Sequence, residues 1–138
     1  MTATRESIER TLRELNEAEN SRTLSPAEKS AAVDPLHTPD VRGWTNGAER
    51  GDRAAEREIE SWLFSTLPDY RRQYAQVVID PPHAAWTWRI MGTNVETGTS
   101  VDVPGASFAR FDDDGRIEET WLYYSEPAGD SGPPPAGA

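Results

Sequence analysis

The chain has 138 residues, 36% of them hydrophobic and 28% charged, which is enough for one buried core and too apolar for wholesale disorder. Its formal charge of −10 repels phosphate backbones and anionic lipid, so neither nucleic acid nor a membrane surface is an expected partner. No cysteine is present and only His37 and His83 are histidines, which removes disulfides, thiolate nucleophiles and histidine-rich metal sites; a carboxylate-only metal site stays open but has no motif, and no metal or cofactor is expected.

No window approaches the ~18 apolar residues of a membrane span, and MTATRESIER lacks the basic-then-apolar build of a signal peptide, so a cytoplasmic location is the expectation. Lys29 stands alone against thirteen arginines, a bias that, with abundant alanine, fits a GC-rich bacterial genome.

In chain order, Ile8, Leu12 and Leu15 fall at helical spacing and predict an amphipathic first helix over about residues 4 to 20. Ser25-Pro26-Ala27-Glu28 reads as a capping box with proline at the first helical position, opening a short second helix that Asp34-Pro35 ends. His37 to Asp40 reads as a surface connector, and Val41 to Asn46 as a short strand or irregular segment closed by Asn46-Gly47. A third helix is expected over Asp52 to Leu67, with Ala55, Ile59, Trp62, Leu63 and Thr66 on its inner side. On that reading Arg50, Arg53 and Arg57, alternating with Glu49, Glu56, Glu58 and Glu60, form a solvated face.

From Tyr70 the period changes to alternation. A strand through Ile79 turns at Asp80-Pro81-Pro82-His83. Ala84 to Gly92 follows, with Trp86, Trp88 and Ile90 on its buried face and Thr87, Arg89 and Met91 on the other. Val101 to Phe111 and Arg116 to Ser125 flank the hairpin Asp112-Asp113-Asp114-Gly115. Helices followed by an antiparallel meander give an α+β order over 1–125, and the Pro/Gly/Ala-rich tail 126–138 is expected to be disordered.

Leu67-Pro68-Asp69-Tyr70-Arg71 and the run Phe108 to Trp121 resemble the SnoaL-like polyketide cyclases, within the nuclear-transport-factor-2-like and ketosteroid-isomerase-like superfamily. Trp88 followed by Gly92-Thr93, and Gly51 before the third helix, complete a likeness that spans most of residues 8 to 125. The resemblance implies a cone of helices on a curved, mainly antiparallel sheet around an apolar pocket, and a homodimer. It does not carry over the superfamily's known catalytic groups. Ser107 stands where ketosteroid isomerases and SnoaL-like cyclases place an acid, Leu12 near the isomerase tyrosine, and Gly43 or Trp44 near its base. Trp88, Ile90 and Leu122 occupy the arginine and aspartate places of limonene epoxide hydrolases; only Trp44-Thr45-Asn46 resembles their pocket floor.

On these implied faces the pocket wall is Trp44, Trp86, Trp88, Ile90, Thr120 and Leu122, an aromatic box suited to a flat hydrophobic ligand or, equally, a filled core. The candidate reacting groups are Asn46, Ser107 and Tyr124 as hydrogen-bond donors to a carbonyl, Glu118 as an inward carboxylate or a partner of an arginine, and His37 as a base at the mouth or an exposed spectator. Two functions remain open. One is a cyclase or isomerase of secondary metabolism, such as antibiotic biosynthesis, acting on a polyketide-like substrate mainly by positioning. The other is a non-catalytic module that binds a small molecule or dimerises through the outer sheet face.

Overall fold

The computed structural model describes residues 2–125; the predicted tail lies outside them. Helix α1 (Arg5–Glu19) starts at a Thr4–Ser7 capping box and buries Ile8, Leu12 and Leu15, the stripe expected from the sequence. Burying such side chains is worth about 1.5–3 kcal/mol each. Helix α2 (Pro26–Val33) opens on the Ser25–Glu28 capping box, and one 3-10 turn, Asp34–Leu36, carries the chain to the sheet. Strand β1 (His37–Thr45) and the short β2 (Ala48–Gly51) precede helix α3 (Arg53–Thr66), which Asp52 caps. The rest is the meander β3 (Arg71–Asp80), β4 (His83–Thr93), β5 (Ser100–Phe111) and β6 (Ile117–Tyr124).

The six strands form one sheet in the order β2-β1-β6-β5-β4-β3. Every neighbouring pair is antiparallel except β1 with β6, where His37 pairs with Ile117 and Thr45 with Leu122. Helices α1 and α3 pack on one face, so alternate residues of the central strands are buried: Trp86, Trp88 and Ile90 from β4, Val101, Val103 and Ala109 from β5. The other face carries a row of rings across four strands, with Trp44 stacked on Trp121 at 5.1 Å, Trp121 beside Phe108 at 5.5 Å and Phe108 on His83 at 5.3 Å.

Two expectations need correction. His37 to Asp40 is no surface connector but the first half of β1, because the 3-10 turn delivers His37 directly into register with Ile117. The charged stretch around α3 is not a solvated face: Arg53 and Glu56 are buried along with Leu63, Phe64 and Thr66. Arg53, Glu56, Glu60 and Leu63 stand at spacings of three, four and three, so one helical stripe faces inward and three of these four residues are ionic.

Candidate active site

A cavity of about 110 Å³ lies between α1, α3 and the covered face of the sheet. Leu15, Leu63, Phe64, Trp86, Ile90 and Ile117 give it apolar walls. Two charged groups complete the lining, one carried by β1, β2 and α3 and the other by α1 and β3.

In the first group His37 is buried, and its Nδ1 lies 2.8 Å from the Val33 carbonyl oxygen. A carbonyl oxygen only accepts, so Nδ1 carries the hydrogen and the neutral ring keeps its lone pair on Nε2. Nε2 faces Glu56 Oε2 at 3.7 Å. The Glu56 carboxylate is also 3.5 Å from Arg50 Nη2 and 3.5 Å from Arg53 Nη1. Behind it Arg53, itself buried, donates Nε–H to Asp34 at 2.7 Å and both Nη groups to Glu60 at 2.7 and 3.1 Å. Ser30 adds its hydroxyl to Glu60 at 2.6 Å. Burial alone would lower the Arg53 guanidinium, but the Glu60 and Asp34 carboxylates outweigh it and hold it above its ordinary value. Hydrogen bonds from Arg57 and Arg53 hold the Asp34 carboxyl below the usual range.

In the second group Arg72 Nη1 donates to Glu19 Oε2 at 3.1 Å, and the Tyr74 hydroxyl approaches Oε1 at 3.4 Å. The Arg72 guanidinium lies 4.7 Å above the Trp88 ring, a cation–π contact inside the fold. Burial raises the Glu19 carboxyl despite the neighbouring Arg72 charge, so this acid holds its proton more tightly than a solvated glutamate. Burial also pushes the Tyr74 phenol up. Lys29 sits beside Glu19, with Nζ donating to its backbone carbonyl at 2.9 Å, and burial lowers its ammonium.

A family model for the SnoaL-like domain matches residues 12–120. The chain belongs to the SnoaL-like domain family. No curated protein matches it in sequence. Among solved structures it resembles AclR, a proposed hydroxylase from Streptomyces galilaeus, at 16% identity and a TM-score of 0.76 over 88% of this chain and 77% of that one. It also resembles a proposed SnoaL-like polyketide cyclase from Jannaschia sp. CCS1 (17% identity, TM-score 0.70, 86% and 85% covered). A third similar structure is IdmH, a proposed polyketide cyclase from Streptomyces antibioticus (22% identity, TM-score 0.70, 85% and 91% covered). At these identities the structural likeness establishes the fold.

Within this SnoaL-like domain, six of the residues singled out from the sequence meet at the cavity: His37, Trp86, Ile90, Ser107, Thr120 and Leu122. The other five do not line it. Trp44 points to the outer face, because Val41, Gly43 and Thr45 take the inward positions of β1. Gly43 leaves room there for two side-chain tips: a Cβ would lie 2.6 Å from Arg50 Nη2 and 2.9 Å from Glu56 Oε1 and would displace them. Asn46 is an exposed turn residue at φ 50, and its Oδ1 accepts the Tyr124 backbone N–H at 3.0 Å. Tyr124 is buried in the core away from the cavity. Glu118 is turned aside by a register shift between Arg110 and Phe111 and pairs with Arg110 at 3.1 Å, leaving Ile117 as the inward residue. Trp88 lies behind the wall, its indole N–H donated to Ser107 Oγ at 2.9 Å.

The sequence reading missed Arg50, Glu56, Glu60, Glu19 and Arg72 as lining groups. The three-and-four spacing on α3 was the available signal for Glu56 and Glu60. Arg50 and Arg72, on strands whose pairing is irregular or edge-like, left none.

Proposed function

We propose that this SnoaL-like domain is a small-molecule enzyme that moves a proton at a carbon activated by a carbonyl, as a cyclase or isomerase does. The observation that carries the reading is the buried His37–Glu56 pair on a cavity that also has apolar walls, with the His37 tautomer set by Val33. Nε2 takes the proton from the carbon next to the carbonyl, and the C–H electron pair moves onto the carbonyl oxygen as an enolate. The resulting imidazolium places its new N–H beside the Glu56 carboxylate, which offsets the charge. The enolate oxygen is met by donors on the wall, among them Ser107 and Arg50. Return of the proton from Nε2 to a different carbon completes an isomerisation; attack of the enolate carbon on a second carbonyl, whose oxygen then takes that proton, completes a cyclisation. The kinship with proposed polyketide cyclases supports the same reaction class.

The test is exchange of the α-hydrogens of cyclic ketones and diketones into D₂O, followed by NMR. The protein is expected to exceed the buffer rate and His37→Gln to fall back to it by about 10²-fold or more. Exchange at the buffer rate with every compound, or an unimpaired His37→Gln, overturns the reading; binding without exchange would make this a non-catalytic binding module.

A further inference from the structure

The unused hydrogen-bonding capacity of the cavity is one-sided. Arg50 donates Nη1–H to Thr45 Oγ1 at 3.0 Å and turns Nη2 toward Glu56, while its Nε–H has no partner among the described residues. The Trp86 indole N–H has none either, on a side chain whose residue is 4% exposed. Ser107 Oγ already accepts the Trp88 N–H, so its own hydroxyl hydrogen is left to donate. All three residues line the cavity. The carboxylates bound by short contacts are taken, Glu60 by Ser30 and two Arg53 donors and Glu19 by Arg72 and Tyr74; Glu56 is shared by longer contacts to Arg50, Arg53 and His37, and the His37 Nε2 lone pair is the acceptor that the proposed proton transfer uses. Buried donors without acceptors are costly, so what fills this space is expected to bring acceptors and no donors.

Charge and size narrow the class further. Three carboxylates on the lining, Glu19, Glu56 and Glu60, oppose an anionic ligand, while Arg50 and Arg72 oppose a cation. At 10–15 Å³ per water-sized group, about 110 Å³ holds on the order of ten non-hydrogen atoms. We infer, resting on the acid–base reading above, that the substrate is a compact uncharged compound with two carbonyl-type oxygens and no hydrogen-bond donor. One oxygen meets the Trp86 and Ser107 donors, which sit in register on β4 and β5, and the other meets Arg50 on β2. A full polyketide chain exceeds this volume.

The full chain is titrated with cyclohexane-1,4-dione, cyclohexane-1,4-diol and succinate, with binding read by ligand-observed NMR. The dione is expected to bind about tenfold or more tightly than the diol, and succinate not to compete. Trp86→Phe keeps an aromatic side chain, smaller than the indole, and removes the N–H, and is expected to weaken the dione about 3- to 10-fold with little effect on the diol. Ser107→Ala serves as a second variant with the same expectation. No dione binding, succinate or diol binding as tightly as the dione, or both variants matching the parent overturns the inference. Dione binding without α-hydrogen exchange would sink the catalytic reading alone; exchange of other ketones without a preference for the dione would sink this one alone.

Discussion

Replacing Arg53 by methionine tests whether the buried ionic network is a structural requirement. The Arg53 side chain is 7% exposed and supplies Glu60 with two N–H bonds, at 2.7 and 3.1 Å, and Asp34 with one. Without it Glu60 keeps only the Ser30 hydroxyl, and Glu56 loses one of two arginines. Asp34 is a third exposed and retains Arg57, so little of the loss comes from there. Removing one member of a buried pair typically costs about 3–5 kcal/mol, and the partial exposure of Glu60 puts the expectation near the lower end, at about 3 kcal/mol. Urea unfolding followed by tryptophan fluorescence measures it directly. In thermal unfolding the same loss is about 10 °C for a domain of this size. The double variant Arg53→Met, Glu60→Met removes both charges and is expected to recover at least half of the lost stability, because an apolar pair of similar volume replaces an ionic one. A single variant within about 1 kcal/mol of the parent, or a double variant no more stable than the single, would refute this account of the network.

Gly105→Ala is expected to destabilise by about 1–3 kcal/mol, since the new Cβ would overlap the Trp88 ring, with Cζ2 at 2.5 Å and Cζ3 at 2.7 Å, and near-ultraviolet circular dichroism should register the displaced indole. Asp34, depressed below its ordinary 3.8 by Arg57 and Arg53, contributes stability that is present above the unfolded value and lost as pH falls through the lower folded value. Asp34→Asn should therefore be less stable than the parent at pH 7, with the gap closing on acidification through 3.8; a gap independent of pH in urea titrations would contradict it.

Much of the fold was legible because its signals are local. The Ile8, Leu12, Leu15 stripe and the Ser25–Glu28 capping box fix two helices, and the alternation of Trp86, Trp88 and Ile90 fixes the inward face of β4. The site was legible where the same alternation applied, at Trp86, Ile90, Ser107, Thr120 and Leu122, while His37 was named but placed on a connector rather than in β1. It failed where pairing geometry departs from simple alternation. A bulge moves Glu118 aside, the parity of β1 turns Trp44 outward, and the left-handed turn at Asn46 consumes that amide in the backbone. The larger miss was energetic. Arginine and glutamate on a helix ordinarily read as solvated, and only three-dimensional closure with Ser30 on the second helix and Asp34 in the turn after it makes their burial tolerable.

Distances within the network set Glu60 and Glu56 apart. Glu60 is held by three contacts of 3.1 Å or less, two from Arg53 within α3 and one from Ser30 that fastens α3 to α2. Glu56, one turn away on the same stripe, has only longer contacts, 3.5 Å to each of two arginines and 3.7 Å to His37. A carboxylate pinned by short bonds gains little when a neighbour becomes charged. One held in place by longer contacts can shorten its approach to His37 Nε2 once that nitrogen gains a proton, and the gain arrives only with the charge that proton transfer creates. The arginines thus position Glu56 without saturating it, as the proposed role of offsetting a transient imidazolium on His37 requires.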